Sequence, residues 1–139
     1  MSRLVFITGA SSGIGQALAM RFYSAGYRLA LAARRTAEVQ AWAEANAISA
    51  GRFQVYSADV SDIDSIVAAG QACIAAQGVP DVVIANAGIS IGMDTAVRSD
   101  LDVMAQTFAT NNSVSPPHFI LSWRAWRRHR CCWWRKSAP

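Results

Sequence analysis

The residues best suited to chemistry in this chain of 139 residues form a glycine-rich segment, TGASSGIG, at positions 8–15. An apolar, β-rich run at 4–8 precedes the segment, and apolar residues with helical spacing follow it. Glycines in such a turn let the backbone approach a pyrophosphate, whose charge is met by free N–H groups and the positive end of the helix dipole. A tight strand–helix turn built from small residues is the alternative interpretation. The flanking strand and helix favour phosphate binding.

Polar residues also follow the three later apolar runs of the sequence. Arg34-Arg35 comes directly after the second run, Asp59-Val60 follows the third, and Asn86-Ala87-Gly88 follows the fourth. Ligands of open α/β sheets bind at the carboxyl ends of the strands. We therefore expect these segments to line one site together with the glycine-rich turn.

The elements that must position these segments alternate along the chain. Apolar runs predict strands at 4–8, 28–33, 53–57 and 81–85, and helical spacing predicts helices at about 14–25, 37–47, 63–77 and 99–112. This alternation predicts a doubly wound, Rossmann-like α/β domain with a parallel sheet. The four strands support the order 3-2-1-4.

Single residues indicate where some helices begin and which faces are apolar. Ile14, Leu18 and Phe22 recur every four residues and predict one apolar helical face. Thr36 is the expected N-cap of the second helix. Ser61 begins a sequence that resembles a capping box at the third helix.

The three motifs, in their order along the chain, resemble those of the short-chain dehydrogenase/reductase family over residues 1–112. TGASSGIG resembles the family's cofactor motif, Asp59-Val60 its adenine-contacting pair, and Asn86-Ala87-Gly88 the NAG motif that lies near the nicotinamide. The resemblance implies oxidoreduction of an alcohol/carbonyl pair with a nicotinamide dinucleotide. The cofactor-binding residues that it implies are Gly9, Ser11, Ser12, Gly13, Ile14, Gly15, Arg34, Arg35, Asp59, Val60, Asn86, Ala87 and Gly88.

The end of the second strand bears on which nicotinamide cofactor is bound. Family members that bind NAD place an acidic residue there to hold the ribose 2′-hydroxyl, whereas the matching position here is Ala33, followed by Arg34 and Arg35. An arginine fork can bind a 2′-phosphate through charge-assisted hydrogen bonds. We therefore predict NADP (NADPH) as the cofactor, with Arg34 favoured over Arg35 as the phosphate ligand. Two solvated loop arginines are the alternative.

The catalytic residues that the resemblance implies are largely missing from the sequence. The family uses a Ser that polarises the carbonyl and a Tyr-x-x-x-Lys pair that transfers the proton. The tyrosines here are Tyr23, Tyr27 and Tyr56, and the only lysine is Lys136, so no such pair exists. Asn111 resembles the asparagine of the family's catalytic tetrad, with a polar helix-end residue as the alternative. Without the acid/base pair, hydride transfer is expected to be slower by roughly 10²–10⁴-fold or more.

The predicted sheet also contains only the first half of the family's strands. We expect the run at 81–85 to form an exposed apolar edge. Pro116-Pro117 would interrupt the helix that carries Asn111. The long helix in this region usually contributes to the family's dimer interface, so we expect the oligomer interface to be lost.

Composition divides the chain into two parts. Overall, 53% of the residues are hydrophobic and 16% are charged, which excludes a disordered or solvating chain. Residues 1–121 contain seven Arg against nine acidic residues, whereas 122–139 contain five Arg, one Lys, no acid, four of the five Trp and two of the three Cys. We interpret 1–112 as the NADP-binding domain and 113–139 as an aberrant basic tail that does not fold.

Two interpretations of this tail remain open. Arginines with interspersed tryptophans can bind RNA or an anionic membrane, which would make the chain a non-catalytic nucleotide-binding module. We favour a shifted reading frame, and thus no nucleic-acid or membrane binding. With one choice of codons, the segment RRHRCCWW at 127–134 reads GGTVVVGG one base later, a glycine turn entering a further strand.

Several function classes find no support in the sequence. The apolar run at the start is too short for a signal peptide, and no stretch is long enough for a membrane span. Three cysteines imply no disulfide framework, and Cys73 borders an apolar helical stripe, which predicts a core residue. His118 and His129 lack metal-site spacing with the cysteines. We expect a cytoplasmic protein without a metal site.

Overall fold

Strands and helices alternate throughout the part of the chain that the computed structural model describes, which comprises residues 2–89, 98 and 100–113. The elements are β1 (Leu4–Thr8), α1 (Gly13–Ser24), β2 (Arg28–Ala33), α2 (Thr36–Ala45), β3 (Phe53–Ser57), α3 (Ile63–Gln77), β4 (Val82–Ile84) and α4 (Asp100–Ser113), with a short 3₁₀ turn, Ala50–Arg52, before β3. The predicted alternation is confirmed, and the bounds agree to within about two residues.

The four strands form one parallel sheet in the order β3-β2-β1-β4, as predicted. The register places Val5 of β1 between Leu29 of β2 and Val82 of β4. Every residue of β1 is buried, because this central strand is covered on both faces. The three residues of β4 are only half-buried, and no further strand pairs with β4 within the described ranges.

Successive residues of each strand enter two apolar clusters, one on each face of the sheet. Val5 packs in the cluster that contains Ala19 of α1 and Val39 of α2. Phe6 packs in the cluster on the opposite face, which contains Ile66 and Cys73 of α3. The prediction that Cys73 belongs to the core is confirmed, since its side chain is fully buried.

The helix starts differ from two of the sequence predictions. Thr36 is the first residue of α2 rather than its N-cap; Arg35 takes the cap position without a capping side-chain bond. Asp62, and not Ser61, caps α3, because its carboxylate accepts a hydrogen bond of 3.0 Å from the backbone N–H of Asp64. A carboxylate satisfies an open N–H of the first turn and also favours the helix dipole.

The predicted apolar face of α1 is only partly buried. Leu18 and Phe22 pack against the core, whereas the side chain of Ile14 is 72% exposed. Ile14 stands in the first turn of α1, directly after the loop that follows β1. The fourth strand is shorter than the predicted 81–85. Asp81, just before it, is tied to the start of β1: its carboxylate accepts a 2.7 Å hydrogen bond from the N–H of Leu4, and its own N–H donates to the carbonyl of Leu4 at 2.8 Å.

The predictions for Pro116-Pro117 and for the basic tail concern residues outside the described ranges. No helix in those ranges is long and apolar enough to cross a membrane. The same residues contain no group of three or more His, Cys, Asp or Glu side chains arranged to hold a metal ion.

Candidate functional site

A cleft of about 570 Å³ opens where the strands of the sheet end. It brings together every residue that the sequence suggested for cofactor binding except Gly15, which lies in the first turn of α1 beneath the glycine-rich loop. The lining also includes Ala33, which the sequence marked as the position of the family's acidic residue, and four residues that the sequence did not indicate: Ala58, Ile89, Gln106 and Thr110. That the residues suggested by the sequence contact a cofactor stays a prediction.

The loop at 9–13 presents the open end of α1 to this cleft. Ser12 is the N-cap in an extended conformation and makes no capping bond with its side chain. The N–H groups in the first turn of a helix have no partner within the helix, so here they remain available to a ligand. The side chain of Gln16 donates a 2.9 Å hydrogen bond to the carbonyl of Ser11, which ties the loop to α1.

Two glycines allow the loop, α1 and β4 to approach closely. A Cβ atom on Gly9, whose φ is +68°, would lie 2.7 Å from the Cα of Ala87. A Cβ atom on Gly15 would collide with the carbonyl oxygen of Gly9 and lie 2.9 Å from the side-chain nitrogen of Asn86. Gly15 thus allows α1 to pack closely against the ends of the neighbouring strands.

Thr8 and Asn86 join the ends of β1 and β4 by a hydrogen-bond network. The amide nitrogen of Asn86 donates to the carbonyls of Thr8 at 3.1 Å and Gly9 at 3.2 Å. The hydroxyl of the fully buried Thr8 accepts from the N–H groups of Asn86 and Ala87, both at 3.2 Å, and donates to the carbonyl of Ile84 at 3.4 Å. The side-chain nitrogen of Asn86 is therefore committed to the backbone of Thr8 and Gly9, where it shapes the floor of the cleft. Nothing in the sequence pattern marks Thr8 for this role.

The two arginines after β2 differ in their surroundings. Arg35 forms an exposed ion pair with Glu38, one turn along α2, at 3.0 Å. Arg34 is exposed, lines the cleft and forms no ion pair with any described residue. Of the two guanidinium groups, that of Arg34 is thus the one available to an anion.

Asp59 offers an ionised carboxylate at the end of β3. Its Oδ1 accepts hydrogen bonds from the hydroxyl of Ser61 at 2.6 Å and from the Ser61 N–H at 2.9 Å. These two bonds and, to a smaller extent, the positive charge of Arg34 lower the pKa of Asp59. The N–H of Asp59 donates to the Ser65 hydroxyl at 3.0 Å, which holds the loop against α3.

Asn111 connects α4 to the loop after β4. Its side-chain nitrogen donates to the carbonyl of Ile89 at 2.9 Å, and its oxygen accepts from the N–H of Ile89 at 2.8 Å. A Cβ atom on Gly88 would lie 3.0 Å from that oxygen, so glycine fits this approach best. A catalytic part for Asn111 stays a prediction. Gln106 and Thr110, one turn apart on α4, could have been found from their i, i+4 spacing just before Asn111.

The described residues fit a phosphate-bearing nucleotide. An open helix N-terminus faces the cleft, and the open space beside Gly13 leaves the backbone accessible there. Arg34 supplies a positive charge at the same cleft, and Asp59 supplies a hydrogen-bond acceptor.

Comparisons with known proteins identify the group of proteins to which this site belongs. The family model for short chain dehydrogenase matches residues 3–116. The Drosophila melanogaster protein named dehydrogenase/reductase SDR family protein 7-like is 38% identical over 113 residues, which cover 76% of this chain and 35% of that protein.

Solved structures of short-chain dehydrogenases and reductases are also similar to this chain. An alcohol dehydrogenase from the archaeon Thermococcus sibiricus, complexed with 5-hydroxy-NADP, has a TM-score of 0.82 and 26% identity, covering 92% of this chain and 55% of that one. A 3-ketoacyl-(acyl-carrier-protein) reductase from Brucella melitensis, complexed with NADH, has a TM-score of 0.72 and 25% identity, covering 91% and 49%. The chain spans about a third of the length of this and two other curated relatives, from Anopheles gambiae and Arabidopsis thaliana, and about half of these solved structures. With the family model matched over most of its length, the chain belongs to the short-chain dehydrogenase/reductase family, whose members bind a nicotinamide dinucleotide.

Proposed function

We propose that this chain binds NADP(H) in the cleft, and that its fold serves the oxidoreduction of an alcohol/carbonyl pair. The observation that carries the cofactor choice is the exposed, ion-pair-free Arg34 at the cleft, together with the absence of an acidic residue at the end of β2. A guanidinium binds a 2′-phosphate with charge-assisted hydrogen bonds, whereas a carboxylate there would repel it. The two solved relatives differ in their bound cofactor, since one is a complex with 5-hydroxy-NADP and the other with NADH. The choice of NADP over NAD therefore depends on Arg34.

Residues that follow different strands bind different parts of the cofactor. The N–H groups at the start of α1, with the hydroxyls of Ser11 and Ser12, hold the pyrophosphate, and Arg34 holds the 2′-phosphate. Asp59 accepts a hydrogen bond from the adenine amine, with Val60 beside it. The loop at 86–88 lies under the nicotinamide end, where it orients the ring. The cofactor, once bound, accepts or supplies a hydride.

We propose further that these 139 residues do not turn over a carbonyl substrate at a rate typical of the family. Their sequence contains no Tyr-x-x-x-Lys pair that could give a proton to the carbonyl oxygen and take it back. The substrate therefore stays open, and the activity of the longer relatives is carried over only as a reaction class.

The cofactor proposal is tested by titrating the full chain with NADPH and NADH and measuring each dissociation constant by calorimetry. We expect tighter binding of NADPH. Arg34→Ala should weaken NADPH binding by roughly tenfold or more, since hydrogen bonds to charged groups contribute about 1.5–3 kcal/mol, and leave NADH nearly unchanged. Arg21→Ala is the matched control, because Arg21 is exposed in the last turn of α1, away from the cleft. Equal affinity for both dinucleotides in the unmodified chain would refute the assignment of NADP.

The inactivity proposal needs a separate assay. The full chain is mixed with NADPH and a panel of aldehydes and ketones, and loss of absorbance by the reduced nicotinamide is followed. We expect turnover slower than that of a typical reductase by roughly 10²–10⁴-fold or more, even where NADPH binds, because the acid/base pair is missing. Turnover at a rate typical of a reductase would contradict this proposal and leave the cofactor assignment intact.

A further inference from the structure

One wall of the cleft has no part in the assignments made so far. Gln106 and Thr110 of α4 line this wall, one helical turn apart and on the same side of the helix. The amide of Gln106 forms no hydrogen bond with any described residue. It is therefore a polar group at the cleft whose donor and acceptor are both available.

The position of this wall is fixed at one end of α4. The two hydrogen bonds between Asn111 and the backbone of Ile89 tie α4 to the loop after β4. Gly88, the residue before Ile89, is in close contact with the same amide. Thr110 precedes Asn111 directly, so this anchor also sets where the cleft side of α4 lies.

Another part of the cleft lining is small and apolar. Ala58 and Val60, from the loop after β3, belong to the apolar cluster on the α3 face of the sheet, and Ala87, from the loop after β4, packs against that cluster. All three residues line the cleft. Two loops from opposite edges of the sheet thus contribute small apolar side chains to the same cleft, and such side chains suit the flat face of a ring.

A purine matches this combination of an apolar lining and a polar edge. The side-chain amide of glutamine carries one donor and one acceptor in a plane, and it pairs with the N6 amine and N7 of adenine. Asp59, on the β3 side of the cleft, offers only an acceptor because its carboxylate is ionised. We propose that Gln106 recognises the N6/N7 edge of the adenine and selects adenine over other purines, a proposal that rests on the proposed dinucleotide binding.

The experiment compares two dinucleotides that differ at one position of the base. NADPH carries adenine, whereas its nicotinamide hypoxanthine analogue carries an oxygen in place of the N6 amine and keeps N7. The full chain is titrated with both by calorimetry, and the ratio of the two dissociation constants is the readout. A good bidentate pair discriminates between bases by about 1–3 kcal/mol, which corresponds to a ratio of about fivefold or more.

Two variants of Gln106 move this ratio in opposite directions. Gln106→Leu removes both hydrogen bonds, so the preference for adenine should fall severalfold, to the part that Asp59 supplies. Gln106→Glu still accepts from the N6 amine but repels the hypoxanthine oxygen, so the preference should rise. Gln71→Leu is the control, since Gln71 is an exposed glutamine of α3 outside the cleft.

The outcomes separate this proposal from the one on which it rests. If the unmodified chain prefers adenine and the two variants shift the ratio as described, the assignment of Gln106 stands. If Gln106→Leu weakens both dinucleotides by the same factor or changes neither, Gln106 does not recognise the base, although the chain binds NADPH. If the unmodified chain binds neither dinucleotide, the proposed function and this proposal both fail.

Discussion

Replacing Gly15 with alanine places one methyl group at the tightest contact beneath the cleft. The new Cβ atom would collide with the carbonyl oxygen of Gly9 and lie 2.9 Å from the side-chain nitrogen of Asn86. Neither neighbour can yield cheaply. The Asn86 amide already donates to two backbone carbonyls, and Gly9 is itself pressed against the backbone of Ala87.

The size of the effect follows from these contacts. Overpacking of a well-packed site costs about 1–3 kcal/mol. Losing one of the two hydrogen bonds from Asn86 adds about 1 kcal/mol. We therefore expect Gly15→Ala to lower the free energy of unfolding by about 2–4 kcal/mol. This is a large share of the roughly 5–15 kcal/mol typical of a domain, and it would lower the melting temperature by roughly 10 °C.

The assay is urea and thermal unfolding of the full chain, followed by circular dichroism. Gly51→Ala is the matched control, because a Cβ atom there meets open space at an ordinary φ, and we expect it to change stability by less than about 0.5 kcal/mol. Gly13→Ala separates strain from crowding, since its Cβ atom also meets open space but its φ is +55°, which costs about 1–2 kcal/mol. If Gly15→Ala is as stable as Gly51→Ala, the reasoning from close contact is wrong.

Three further predictions concern single side chains. Asn111→Ala should lower the free energy of unfolding by about 1 kcal/mol in urea titrations, because both bonds to Ile89 are lost; an unchanged midpoint would contradict the anchoring of α4. Glu38→Gln should tighten NADPH binding a few-fold in calorimetry by releasing Arg35, with NADH as the control ligand and with stability changed by less than about 0.5 kcal/mol. Burial raises the pKa of Cys73 to about 11, so the fold favours the neutral thiol. Its contribution to stability is complete below about pH 9 and is lost towards pH 11, and Cys73→Ala should flatten the fall in that range; an equally steep fall would point to other groups.

The sheet order and most element bounds could be predicted because they depend on local patterns. The fully apolar runs at 4–8 and 28–33 indicate strands covered on both faces, and the intervening helical spacing requires parallel crossovers. Residues directly after each strand then converge without any knowledge of side-chain positions. This is why the cleft contains nearly all the residues suggested for the cofactor.

Features that depend on distant partners could not be predicted. Thr8 is inconspicuous in the sequence, yet its hydroxyl bonds to the backbone of three residues around β4. The side chain of Asn111 is committed to Ile89, a contact that requires α4 to be placed first. At the start of α3, Ser61 and Asp62 are both good caps, and only the geometry shows that Ser61 turns back to Asp59 while Asp62 caps the helix.

The network between Thr8 and Asn86 has a consequence for the order of folding. The residues it joins are 78 positions apart, so its bonds form only after β4 has docked beside β1. Contacts at such separation form late, since the chain entropy of closing the loop must be offset first. The loop at 9–13 lies near the start of the sequence, but its final shape depends on β4, the last strand of the described sheet. Nucleotide binding would therefore report on the formation of the whole four-stranded sheet and not on the formation of the β1–α1–β2 unit alone.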